Sequence, residues 1–173
     1  MTAPTAHQAD MEHANARRIE AFYAAFAALD ADAMAAFYAD DVHFEDPVFG
    51  LEGREAVMAM WRMLCESVKA KGREDWSLEA SAVRADAHEG SARWEARYRF
   101  SATGRLVHNR IDATFVFRDG LVVRHVDQFD VWRWSRQALG TPGLLLGWSG
   151  FLRRKVRAQA AARLAGWQAR RGA

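Results

Sequence analysis

The stretch that decides the fold is SARWEARYRFSATGRLVHNRIDATFVFRDGLVVRHVDQ, residues 91–128, in which apolar and polar residues alternate. A period of two is typical of β-strands that bury one face. Two turn signals divide the stretch, Thr103-Gly104 and Asp119-Gly120, and an Asp-Gly pair is typical of a tight hairpin. The pattern predicts three long strands in an antiparallel meander, the last of which continues to Trp134.

Upstream of these strands the apolar period is that of a helix. Four residues recur at helical spacing near the start of the chain: Ile19, Phe22, Tyr23 and Phe26. A short helix at 33–39, an extended piece at 42–47 and a third helix over about 54–70 follow. Helices followed by antiparallel strands predict an α+β fold, with three N-terminal helices packed on one face of a curved antiparallel sheet.

The composition excludes several classes of protein. The chain has 173 residues, of which 50% are apolar and 27% charged, as in an ordinary globular domain rather than a disordered one. The single cysteine, Cys65, excludes an internal disulfide and a cysteine-cluster metal site. No apolar run approaches the roughly 20 residues of a membrane span, and the start lacks the pattern of an export signal. We therefore expect a cytoplasmic protein.

The formal net charge of +2 is the sum of two unlike parts. Residues 1–130 carry 15 Lys and Arg against 22 Asp and Glu, whereas residues 131–173 carry nine basic residues and no acidic one. The net charges of the two parts are therefore −7 and +9. On this basis we divide the chain into a disordered lead-in over 1–11, a domain over 12–132 and a basic helical C-terminal extension over 133–173.

The C-terminal extension contains a last predicted helix from about Phe151 to Gln168. A narrow apolar stripe runs along it: Leu152, Val156, Ala160, Leu164 and Trp167. Opposite charges favour its packing on the acidic domain, of its own chain or of a dimer partner. A second interpretation is contact with an anionic membrane surface through residues 144–157. We do not expect nucleic-acid binding, because one short basic helix without a reading module is weak evidence for it.

Two segments resemble the nuclear transport factor 2-like superfamily, which includes steroid Δ-isomerases and SnoaL-like polyketide cyclases. The first is FYAAFAALDADAMAAFYADDVHFEDPVFGLEGREAVMAMW at 22–61, and the second is RDGLVVRHVDQFD at 118–130. The resemblance covers residues 12–132. It implies a cone-shaped fold with a deep apolar pocket open at one end, and a homodimer formed through the outer face of the sheet. Because this fold hosts many activities, it does not by itself imply one.

The steroid isomerases place their general base on an E-D-P segment, and here the resemblance puts Asp46 at that position. Their tyrosine donor falls at Phe22, with Tyr23 next to it. Their second donor, a protonated carboxyl, falls at Ala113, and the alternation of the strand directs the neighbouring Asp112 to the opposite face. The resemblance therefore implies a retained base without the oxyanion donors.

Limonene-epoxide hydrolase, in the same superfamily, has its base in a D-x-F-D segment that Asp127 matches. The arginine and aspartate that activate the epoxide fall near Trp94 and Ala96. The resemblance again implies a retained base without its partners.

Strand alternation points to the same residues independently of any family. His125 and Asp127 share a face with apolar neighbours on the last strand, as Asp46 does on the short early strand. A carboxylate facing a dry pocket has a raised pKa, which suits general acid/base chemistry. We predict Asp46 and Asp127 as bases, with His125 and Tyr23 as proton donors or orienting groups. The predicted substrate-binding wall is aromatic: Phe22, Phe44, Trp61, Trp94, Tyr98 and Phe129.

Structural roles compete with these assignments. Asp46 can cap the turn that follows it, and His125 with Asp127 can form a buried pair that only orders the strand. No cofactor motif is present, and the histidine and aspartate spacing has no metal signature. The sequence favours an isomerase, cyclase or dehydratase that needs no cofactor and acts on a terpenoid-, steroid- or polyketide-like molecule. The alternative is a non-catalytic ligand-binding or assembly module with the same pocket.

Overall fold

The sheet that the meander predicts forms the centre of the molecule. The computed structural model describes residues 6–146 and 149–171. The elements in chain order are α1 (Ala6–Ala27), α2 (Ala31–Met34), a 3₁₀ turn (Ala35–Phe37), β1 (Tyr38–Glu45), β2 (Gly50–Glu52), α3 (Arg54–Lys71), β3 (Ser77–Ala85), β4 (Glu89–Arg99), β5 (Leu106–Arg118), β6 (Leu121–Gln128), α4 (Val131–Leu139), α5 (Thr141–Leu146) and α6 (Gly150–Ala169).

The six strands form one curved sheet in the order β2-β1-β6-β5-β4-β3. The predicted meander is confirmed as β4, β5 and β6, and only the pairing of β1 with β6 is parallel. Register shifts interrupt three of the strand pairs, as β-bulges do in curved sheets. The α+β fold with a curved sheet is therefore confirmed.

The predicted end of the third meander strand is wrong. Strand β6 ends at Gln128 rather than at Trp134. Asp130 follows it and caps helix α4, because its side chain accepts a hydrogen bond from the N–H of Arg133 at 3.0 Å. The sequence VWRW therefore begins a helix, and Trp134 packs on the outer end of β5 rather than extending the sheet.

The first helix begins earlier than expected. Residues 6–11 fall within the expected disordered lead-in, but α1 starts at Ala6, and residues 1–5 lie outside the described part of the chain. The alanine-rich start favours this longer helix. Its predicted apolar face is buried. Helix α3 spans 54–71, as expected from the pattern at 54–70, and buries Val57 and Trp61, while Leu64 and Val68 on the same face are half-buried.

The C-terminal extension folds back onto the domain as three helices. The stripe of α6 faces inward, and Leu164 joins the main hydrophobic core with only 5% of its surface exposed. Near the end of the helix, Trp167 Nε1 donates a hydrogen bond to Glu66 on α3 at 2.7 Å, and Arg171 pairs with the same carboxylate. The extension therefore covers its own domain, in agreement with the interpretation that opposite charges favour.

The crossing of α4 and α5 depends on a glycine. Gly143 lies against the backbone carbonyl of Ser135, and a Cβ atom at Gly143 would collide with that carbonyl. The two helices can therefore approach only with a glycine here. Within the described residues, no helix is both long and apolar enough to cross a membrane.

Candidate functional site

A cavity of about 280 Å³ lies between the sheet, α3 and α6. Its wall is mainly aromatic and aliphatic, and two carboxyl groups interrupt it. Six of the ten predicted site residues line it: Asp46, Trp61, Trp94, Tyr98, Asp127 and Phe129. The volume is near the lower end of the range for small-molecule sites, so it suits a compact ligand.

Four predicted site residues do not line the cavity. Phe22, Phe44 and His125 are fully buried behind the wall, where their rings pack together. Tyr23 is also buried, and its ring lies against Trp94 with 5.7 Å between centroids. These four predictions are corrected to buried positions outside the cavity wall. Alternation and helical spacing identify them as inward-facing, but a second layer of aromatic side chains lies between the wall and the rest of the core.

Asp46 lies just after β1, where the chain turns towards β2. Its Oδ1 accepts hydrogen bonds from the N–H groups of Val48 and Phe49 at 2.6 and 2.5 Å, so it does cap this turn. Burial in the cavity raises the pKa of Asp46 to about 7, and the negative charge of Asp127 adds to the increase, although the two N–H donors and Arg157 oppose it. Among the described residues, its Oδ2 has no hydrogen-bond partner.

A buried chain of hydrogen bonds holds Asp127. Trp61 Nε1 donates to Tyr38 Oη at 3.1 Å, and Tyr38 Oη lies 2.8 Å from His125 Nδ1. His125 Nε2 lies 3.0 Å from Asp127 Oδ1, which also accepts a hydrogen bond from Trp94 Nε1 at 3.3 Å. The chain therefore runs through the core and ends at a carboxylate that faces the cavity.

The groups at the two ends of this chain fix the direction of its outer hydrogen bonds. An indole N–H can only donate, so Tyr38 Oη accepts from Trp61. The carboxylate of Asp127 can only accept, so His125 Nε2 donates to Asp127 Oδ1, and Tyr38 Oη and His125 Nδ1 share the hydrogen bond between them. Among the described residues, Asp127 Oδ2 has no hydrogen-bond partner, so this oxygen is available to a ligand.

Tyr23 does not take the predicted role of proton donor in the cavity. Its hydroxyl is buried and has no hydrogen-bond partner within the described residues. Burial raises the pKa of Tyr23 well above its usual value, and the negative charge of Asp127 adds to the effect. The hydroxyl is therefore neutral near the carboxylate, separated from the cavity by Trp94.

The two positions that the steroid-isomerase resemblance assigns to oxyanion donors are apolar in the structure as well as in the sequence. Phe22 packs in the core, and Ala113 is buried beside Asp127 on the paired strand. Asp112 points to the other face, as the alternation predicts, and pairs with Arg93 at 3.0 Å.

Sequence reasoning missed several residues of the site. Tyr38 falls on the same alternation as Val42 and Phe44, and that parity is the signal that could have identified it. Trp134, whose Nε1 donates to Tyr98 Oη at 3.0 Å, was hidden by the incorrect assignment of 131–134 to a strand. Arg163 flanks the predicted stripe of α6 and lines the cavity.

The described residues contain no cluster of three or more histidine, cysteine or acidic side chains that could hold a metal ion. The arrangement instead offers two carboxyl groups in one apolar cavity, each with one oxygen fixed and one available. Such a pair can take opposite roles in proton transfer.

Comparisons with solved structures agree on the fold. A candidate polyketide cyclase from Xanthomonas campestris pv. campestris is 19% identical, with 73% of this chain and 98% of that chain covered at a TM-score of 0.59. An LEH-like epoxide hydrolase from M. tuberculosis is 20% identical, with 78% and 94% covered at 0.57. A candidate ketosteroid isomerase from Kribbella flavida is 17% identical, with 68% and 78% covered at 0.52.

Structural similarity at 17–20% sequence identity shows a shared fold and no shared activity. The names of the three proteins also describe different activities. A search of curated proteins finds no match. A family comparison, however, matches residues 19–125 to the SnoaL-like domain, which is more than half of the chain. The chain therefore belongs to the SnoaL-like family, within the nuclear transport factor 2-like superfamily.

Proposed function

We propose that the protein is a general acid/base enzyme whose own carboxyl groups move protons on a compact apolar substrate. The observation that carries this proposal is that Asp46 and Asp127 line the same apolar cavity, with the pKa of Asp46 raised to about 7. A carboxyl that is partly protonated at neutral pH can donate a proton, while a second carboxylate accepts one.

Asp127 is assigned as the base. Its Oδ1 is held by His125 and Trp94, which fix the orientation of the carboxylate, and its Oδ2 is available to take a proton from the substrate. His125 and Tyr38 act as positioning residues, since neither lines the cavity. The buried chain thus aims one oxygen at the ligand with little freedom to move.

Asp46 is assigned as the acid. The turn holds its Oδ1, so the proton resides on Oδ2. In the proposed reaction, Asp127 removes a proton from the carbon next to a carbonyl as Asp46 gives its proton to the carbonyl oxygen. Collapse of the resulting enol, with return of a proton to a different atom or loss of a leaving group, leads to isomerisation, cyclisation or dehydration.

A specific observation favours the alternative, a binding module without chemistry. One oxygen of each carboxyl already has a structural role, and the positions of the oxyanion donors carry Phe22 and Ala113. Ligand binding requires only the aromatic wall.

The test compares D127N and D46N with the matched control D112N, which changes an exposed aspartate on the neighbouring strand. Turnover of a panel of terpenoid, steroid and polyketide-like ketones is measured at pH 6 to 9. We expect about a 10²–10⁴-fold loss of kcat in D127N, a smaller loss in D46N and none in D112N. Full activity in D127N and D46N overturns the assignment, and a ligand that raises the melting temperature without any turnover supports the binding module.

The other expected partners are proposals as well. We propose a membrane-surface contact through 144–157, since Leu145 and Phe151 are more than 60% exposed and Arg153, Arg154 and Lys155 are exposed beside them. Sedimentation with phosphatidylglycerol vesicles, and not with phosphatidylcholine vesicles, is the expected result. Analytical ultracentrifugation tests the homodimer, and no binding to nucleic acid is expected.

A further inference from the structure

Arg163 is a cation on the cavity wall, and none of the described carboxylates forms an ion pair with it. It extends from α6, and its Nη2 donates a hydrogen bond to Ser67 Oγ on α3 at 2.9 Å while its Nη1 donates to Ser101 Oγ after β4. Within 6–146 and 149–171, no acidic side chain lies within ion-pair distance of it. The exposed guanidinium therefore lines the cavity with neutral hydroxyl groups as its hydrogen-bond partners.

Two nearby arginines do have acidic partners. Arg99, which also lines the cavity, donates to Asp75 at 2.6 Å, and Arg171 of α6 pairs with Glu66. A guanidinium has five N–H donors in a planar fork, and Arg163 uses two of its groups on serines. Because the fork matches a carboxylate in shape and charge, an anionic ligand group fits this end of the cavity.

The position of Arg163 relative to the proposed acid and base can be read along α6. Arg157 Nη2 lies 3.3 Å from the backbone oxygen of Asp46, so that part of the helix lies beside the proposed acid. Arg163 is six residues further along, which corresponds to about 9 Å at the rise of an α-helix. The described partners of Arg163 are Ser67 and Ser101, which differ from those of Asp46 and Asp127.

We infer that Arg163 binds the carboxylate of the substrate, so that the substrate is an apolar carboxylic acid. The inference rests on the proposed function for the reacting centre, but the binding of the acid does not depend on turnover. The negative charge of Asp127 repels the substrate carboxylate, so it also favours the orientation in which the other end of the ligand reaches the proposed acid and base.

The experiment measures affinity by calorimetry for 6-phenylhexanoate and for its methyl ester, which differ in the charge at one end. We expect the full-length protein to bind the acid about tenfold more tightly, since a charge-assisted hydrogen bond contributes roughly that factor. The preference should disappear in R163Q, persist in part in R163K, and remain unchanged in the control R154Q, whose exposed side chain lies on the same helix.

The glutamine in R163Q keeps a side-chain amide that can donate to Ser67 and Ser101. If Arg163 has only a structural role, the natural protein and R163Q should therefore show the same preference for the acid over the ester. Equal affinity for acid and ester, failure of the acid to bind, or a preference that survives in R163Q overturns the inference. D127N distinguishes this failure from that of the proposed function. D127N should lose turnover and keep the preference for the acid over the ester. If the natural protein prefers the acid but turns over no substrate, the result supports the Arg163 site and contradicts the proposed enzyme activity.

Discussion

The domain up to residue 130 and the extension after it contribute different things to one cavity. The domain supplies the sheet, the aromatic wall and both carboxyl groups, and its net charge is −7. The extension has no acidic residue, and it adds apolar side chains and Arg163 along one side. The comparison teaches that one cavity is built from two parts of the chain, with both carboxyl groups on the first part and Arg163 on the second.

The largest expected loss of stability comes from a substitution in the domain, at His125. His125 is fully buried and is hydrogen-bonded to both Tyr38 and Asp127, so H125A leaves a cavity and removes one hydrogen bond from each of these two buried groups. We expect the free energy of unfolding, measured in urea, to fall by roughly 3–5 kcal/mol. H88A, at an exposed position, is the control and should change stability little. If H125A lowers the free energy of unfolding by less than about 1 kcal/mol, the buried chain of hydrogen bonds does not stabilise the core.

A smaller but clear effect should come from the extension. Leu164 of α6 is in the main core, and we expect L164A to reduce the free energy of unfolding by roughly 2–4 kcal/mol. L106A, at a residue that is 55% exposed, serves as the matched control. If L164A unfolds like the control, α6 does not stabilise the domain, and the two regions are energetically independent.

Stability should also depend on pH through Asp46. The unfolded chain releases this proton near pH 3.8, whereas the folded protein holds it until about pH 7. The contribution of the bound proton is complete below about pH 4 and is lost progressively as the pH rises to about 7, with a total size on the order of 4 kcal/mol, of which roughly 3 kcal/mol is lost above pH 5. Urea unfolding at pH 5 and pH 8 should show this decline in the natural protein and in D112N but not in D46N. A decline of equal size in D46N would assign it to another group.

The smallest expected effect is the one that Arg157 of the extension has on the pKa of Asp46 in the domain. The positive charge of Arg157 on α6 lowers the pKa of Asp46, against the larger effect of burial. R157Q should therefore raise the pKa of Asp46, and an NMR titration of the Asp46 carboxyl carbon measures the change. R154Q is the control from the same helix. An unchanged titration in R157Q would mean that this helix does not act on the proposed acid.

The sequence was sufficient for the regular parts of the fold. The alternation at 91–128 identifies the meander, and the alternation of β6 directs Asp127 to the cavity while Asp112 faces solvent. Alternation cannot tell a residue that lines a cavity from one buried a layer deeper. For that reason it groups His125 with Asp127, although only Asp127 reaches the ligand space.

The contacts of the extension could not be predicted in the same way. The stripe of α6 shows which face packs, but no local pattern indicates that Arg163 meets serines from two distant segments. The separation between Arg163 and Ser67 is 96 residues, and the position of α6 depends on the cap at Asp130 and the crossing of α4 and α5. Such long-range placement follows from the sum of the packing rather than from any single segment.

The glycine at that crossing has a consequence for evolution. Because Gly143 leaves no room for a side chain against Ser135, the path of the extension depends on a single codon. A lineage that replaced this glycine would have to reroute the last helix, and it would keep its carboxyl groups while losing the wall that holds Arg163. Because the contact is with the backbone carbonyl of Ser135, the constraint falls on the glycine and not on the identity of the residue at 135.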